Sequence, residues 1–154
     1  MNPTATPTAE ANAEVDWSSK VRIGSPKTAT PVQGRRAFFN YKDLGIKAAS
    51  QGRLSANFID VTQGLSEPTG WHYHVCEAQF VYITYGWVVL QFEDGSTRKV
   101  SQGQTLYIEG GVRHNEISTS ETFGYLEVFL PADMKTVACD PPEGWVDSEV
   151  QTIE

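Results

Sequence analysis

The sequence predicts an all-β fold, a barrel or sandwich of short strands, on three observations. Between Arg35 and Leu130 the chain is a succession of segments rich in Val, Ile, Tyr, Phe and Thr, the types that fit a pleated, half-buried surface. Glycine recurs between them, at positions 45, 52, 64, 70, 86, 95, 103, 110, 111 and 124, as turn punctuation does. No stretch carries apolar residues at a 3.6-residue period over three turns.

The elements follow in chain order. Residues 1–20 (MNPTATPTAEANAEVDWSSK) hold one aromatic, Trp17, and too little apolar surface to offset the entropy of ordering them, so they read as a tail. Residues 21–135 form the barrel. Its strands are expected at Leu54–Val61, Gly70–Val75, Gln79–Phe92, Thr97–Val100, Thr105–Ile108, Arg113–Ile117 and Phe123–Leu130, with Asp94-Gly95 as a hairpin turn. Tyr41–Ala49 supplies one short helical turn. Residues 136–154 form a Pro-rich acidic extension in which Trp145 packs on the barrel and the end frays.

The balance of charge excludes two classes of partner. Twelve Lys and Arg against nineteen Asp and Glu give a net charge of −7 in 154 residues, which repels nucleic acid and anionic membrane surfaces. No apolar run approaches the roughly 18 residues of a membrane helix, and the first thirty residues lack the apolar stretch of a secretory leader, so a cytoplasmic protein is expected. Cys76 and Cys139 are too few for a disulfide framework and read as reduced thiols.

The chain holds three histidines. His72 and His74 are spaced so that a strand turns both rings to one face, about 7 Å apart along the backbone. His114 lies forty residues on, where a folded-back strand could return it to the same point. Imidazole is the commonest protein ligand for first-row transition metals, and three of them leave positions open for a substrate. An isolated His-x-His pair is more often a chance pair on a half-buried strand, so the metal reading depends on what surrounds it.

The surroundings run Gly70-Trp-His72-Tyr-His74-Val-Cys-Glu-Ala-Gln79 to Gly86, then Gly103-Gln-Thr-Leu-Tyr-Ile-Glu109-Gly-Gly111-Val-Arg-His114. They resemble the two motifs of the cupin family: His-x-His, an acid, and Gly, followed by a second motif ending in Gly-x-x-His. The resemblance covers Gly70–His114 directly and residues 53–130 in strand order. It implies a cupin-type antiparallel β-barrel (double-stranded β-helix, or jelly roll) whose mouth holds one divalent transition metal ion. The implied ligands are His72, His74 and His114, with Gln79 in the fourth position.

The departures matter. Gln79 stands where the family usually has Glu, Glu109 where it has Pro, Ser66 where it has Gly and Ser118 where it has Asn. Glu77 is two residues off the ligand position and reads as a loop acid. Three neutral rings and a neutral amide leave the full charge of the ion on the site, which then attracts an anionic, chelating small-molecule substrate. Cupins with three-histidine iron centres split carbon–carbon bonds with dioxygen, and the resemblance implies this first. Uronate-processing and polyketide-cyclising cupins use a shell with Gln for non-oxidative lyase, isomerase or cyclase steps, the alternative. A metabolite-binding module without turnover is a third reading. Fe2+ is the expected ion, and Mn2+, Ni2+ and Zn2+ accept the same ligands.

Strand alternation adds candidates. Val81, Ile83 and Tyr85 share parity with Gln79, which makes Tyr85 an inward hydroxyl: a proton donor, or a hydrogen-bonded wall residue. Glu116 shares parity with His114 and is either an acceptor that orients a ligand ring or a solvent-facing rim residue. Cys76 reads as a buried structural thiol. Trp71, Tyr73, Tyr82 and Trp87 fall on the outward parity, where aromatics mark a subunit contact, and a homodimer is expected.

Overall fold

The computed structural model describes residues 20–153, so the tail expected over residues 1–20 lies, Lys20 aside, outside the described residues. The first sheet runs in the order β1 (Thr30–Val32), β2 (Asn40–Asp43), β3 (Ser55–Val61), β10 (Phe123–Leu130), β5 (Ala78–Tyr85) and β8 (Thr105–Glu109). The second runs β11 (Lys135–Ala138), β4 (His72–Val75), β9 (His114–Thr119), β6 (Trp87–Phe92), β7 (Thr97–Ser101) and β12 (Val150–Thr152). Every pairing is antiparallel except β12 on β7. Ile59, Val61, Val81 and Ile83 of the first sheet meet Val88, Leu90 and Val100 of the second in one buried core, the jelly-roll arrangement of a cupin-type barrel.

Two segments depart from the sequence expectation. Tyr41 is a strand residue, and only Ile46–Ala49 (α1) makes a helical turn. An Asp43 side chain accepting from the Gly45 N–H at 2.7 Å, with Gly45 at φ 76°, ends the strand between them. The run Gln79–Phe92 is two strands, because the chain passes from one sheet to the other at Gly86 (φ 75°). A side-chain carbon there would meet Ser120 Oγ and the Thr122 carbonyl at 2.3 Å.

The C-terminal segment crosses the outer face of the second sheet. Trp145 meets Trp71 edge to face at 4.7 Å, Asp147 accepts from Gln91 at 2.9 Å, Ser148 bonds Thr97 at 2.8 Å, and β12 completes the sheet. Among the described residues no helix is long and apolar enough to cross a membrane.

Candidate metal centre

Local pairing brings the histidines together. On β4 the alternation buries His72 and His74 and leaves Val75 exposed, and β9 lies antiparallel with His114 directly opposite His72. The intervening forty residues go to β5–β8, a crossing to the other sheet and back. Ring centroids lie 4.4 Å apart for His72 and His114, 5.1 Å for His74 and His114, and 5.2 Å for His72 and His74. One ligand atom from each falls within 4.8 Å of the others.

The surroundings set the tautomers. His72 Nδ1 lies 2.7 Å from the Gly70 carbonyl and His114 Nδ1 lies 2.9 Å from the Val112 carbonyl, each two residues upstream. A carbonyl only accepts, so each Nδ1 carries the proton and each Nε2 keeps its lone pair. His74 Nδ1 is 3.1 Å from the hydroxyl of Thr136, its register partner on β11. Burial, then the neighbouring His114 and Arg35, lower the His74 pKa to about 2. Burial lowers that of His72 as well, against the opposing pull of Glu116.

A metal fits these residues. His114 Nε2 and Gln79 Oε1 are both buried without a hydrogen-bond partner, and a buried acceptor left unmet costs about 1–3 kcal/mol. A cation between them would satisfy both. Neutral imidazole nitrogens with one amide oxygen suit a divalent transition metal, and His72, His74 and His114 form a group that could hold one.

Gln79 reaches the interior from β5, on the opposite sheet. Its Nε2 donates to Glu127 Oε1 at 2.9 Å; because a carboxylate only accepts, the free end of the amide is the oxygen. Glu127, 1% exposed, is held in turn by Arg35 at 2.8 and 3.3 Å. The Arg35 guanidinium sits over the rings of Tyr41 and Phe129, at 5.4 and 5.2 Å, and Phe129 meets His74 edge to face at 5.1 Å. The sequence reading missed both Arg35 and Glu127. The available signal was an acid on the inward parity of Phe123–Leu130, an otherwise apolar strand.

Glu116 is inside, and in neither of the two roles expected. The ring N–H groups it was to receive are taken by Gly70, Val112 and Thr136, and its Oε2 lies 3.7 Å from His72 Nε2, on the side where the lone pairs converge. Thr69 fixes it, donating from Oγ to the carboxylate and accepting from the Glu116 N–H. Burial pushes the Glu116 pKa up, but His72, His114 and the Thr69 bond outweigh it and hold the group below the usual carboxylate range.

Tyr85 lies outside the site. A bulge opposite Gly124 and Tyr125 leaves Thr84 unpaired and reverses the alternation, so Tyr85 turns to the outer face. Its ring lies across Gly124 and tilts against Phe58, about 20 Å along β5 from Gln79. The inward tyrosine is Tyr125, which lines a cavity of about 30 Å³ with Gln79 and Glu116. Burial and the Glu127 charge keep its hydroxyl protonated well above the usual range. Glu77 is exposed in the β4–β5 turn. Cys76 is half-buried, its thiol directed at the His74 carbonyl at 3.9 Å.

Residues 59–129 match the cupin domain family. No curated protein matches by sequence. Among solved structures, the polyketide cyclase RemF from Streptomyces resistomycificus superposes with a TM-score of 0.62 at 19% identity, over 80% of this chain and 91% of that one. KdgF from Halomonas sp. gives 0.59 at 17% identity, over 73% and 96%. A predicted oxalate decarboxylase from Thermotoga maritima gives 0.59 at 17%, over 71% and 98%. With the motif histidines in register on β4 and β9 and the two sheets closing around them, the chain is a small cupin.

Proposed function

We propose that this cupin is a metal-dependent enzyme acting on a small anionic chelating substrate, and that its reaction is a non-oxidative proton transfer of lyase, isomerase or cyclase type. The observation that carries this reading is the Glu116 carboxylate, 3.7 Å from His72 Nε2 and steadied by Thr69. A divalent ion held by His72, His74 and His114, with Gln79 as a weak fourth ligand, would supply Lewis-acid chemistry to a chelating oxygen. Glu116, held as the carboxylate, is the base that takes a proton from the adjacent carbon or hydroxyl. Tyr125, held protonated, is the hydrogen-bond donor on the same cavity wall. Gln79 is oriented by Glu127 to offer its oxygen. That RemF is a polyketide cyclase agrees with this class of chemistry.

The second reading is a dioxygenase using Fe2+ to cleave the chelated substrate. The neutral imidazole set supports it, since three such ligands leave coordination positions open. A homodimer through the outer face of the first sheet, where Phe80, Tyr82, Tyr107 and Leu130 are exposed, accompanies either reading and is tested by light scattering.

Elemental analysis of protein purified without added metal, followed by assays against uronates, β-diketones and catechols with and without oxygen, decides among them. Turnover in the absence of oxygen, abolished in Glu116→Gln with its metal retained, is expected. Oxygen consumption matching substrate loss would favour the dioxygenase. Binding without turnover would make the chain a metabolite-binding module.

A further inference from the structure

Arg36 stands at the same site with its charge unmet. A groove of about 640 Å³ lined by residues 31–37, Tyr41, Lys42 and Asp60 holds three cationic side chains. Two are paired: Arg35 with Glu127 at 2.8 Å, and Lys42 with Asp60 at 3.0 Å. Among the described residues Arg36 forms no ion pair with a carboxylate. Its Nη2 instead lies 3.4 Å from His72 Nδ1. That nitrogen is no acceptor, because its proton goes to the Gly70 carbonyl at 2.7 Å. A guanidinium N–H thus faces another N–H, both part-buried, and the missing element is an anion.

Resting on the metal-centre reading above, we infer that Arg36 captures the carboxylate of the substrate. The guanidinium fork matches a carboxylate in plane and spacing. Two sides of one imidazole ring define the ligand: Arg36 is on the Nδ1 side of His72, while the metal-facing Nε2 and Glu116 are on the other. The Glu116 charge turns a carboxylate away from its own side and toward Arg36. A molecule reaching both sides is short, with an oxygen function on the carbon next to its carboxylate, as in a hydroxy- or keto-carboxylate or a uronate.

Calorimetric titration tests this with oxalate, and with imidazole as a neutral metal ligand, on Zn2+-loaded and metal-free protein. Arg36→Gln is expected to keep stoichiometric Zn2+ and unchanged imidazole binding while losing at least about tenfold in oxalate affinity, with Arg36→Lys recovering part of it. Oxalate binding equal to that of the native chain overturns the proposal, as does a parallel loss of imidazole binding, which would make Arg36 a structural residue. Failure of the native chain to hold Zn2+ removes the metal centre but not this test. The metal-free oxalate titration then decides on Arg36, and its absence of binding counts against it.

Discussion

The Gln79 amide donates to the Glu127 carboxylate at 2.9 Å, and this bond decides which end of Gln79 faces the histidines. Glu127 is buried and also anchors Arg35. Glu127→Gln removes the charge opposite a part-buried guanidinium and lets the Gln79 amide flip. We expect a loss of about 2–4 kcal/mol in urea unfolding, below the range for a fully buried pair because Arg35 is partly solvated. Metal affinity should fall about tenfold in chelator competition.

Gln79→Glu places two carboxylates at hydrogen-bond distance. The like charges raise the folded-state pKa of the pair above the unfolded value of about 4.3 for Glu. The folded state then binds more protons than the unfolded, so stability falls as pH rises from that value. Melting curves in EDTA should show a deficit against the native chain that is small near pH 4 and full at neutral pH. A divalent ion should close the deficit and bind more tightly than to the native chain, because the new carboxylate cancels one unit of its charge.

Changing both His72 and His74 to Ala should remove the metal and leave the β-rich circular dichroism spectrum. The core around Ile59, Ile83 and Leu90 is separate from the rings and holds the two sheets by apolar burial. Stoichiometric metal in the purified double variant would remove the site assignment.

Trp145→Ala should loosen the segment that crosses the second sheet. The substitution removes the edge contact with Trp71 and the indole N–H bond to Asp147 at 3.2 Å, the acid that also satisfies buried Gln91. A loss of about 1–3 kcal/mol and faster proteolysis between residues 139 and 149 are expected. Metal affinity should not change, because Gln91 and Asn115 face away from the histidines.

The residues that carry the metal chemistry were legible in the chain itself. His72, His74 and His114 stand at motif spacing, and the alternation of a single strand is enough to turn the first two to one face. The strand runs and the glycines between them were legible for the same reason, since each depends on backbone geometry over a few residues. The turn at Gly86 was hidden within a continuous apolar run, because a strand that changes sheets keeps its composition. Tyr85 and Tyr125 exchanged roles at a bulge, which arises from the register of β5 against β10, forty residues away. The partnership of Gln79 with Glu127 and Arg35, the placement of Glu116 on the Nε2 side, and the approach of Arg36 to His72 likewise needed the tertiary structure. Alternation along one strand assigns a side chain to a face, but which atom it meets there is set by strands and loops remote in sequence, and hydrogen-bond direction is decided only when donor and acceptor are both in place.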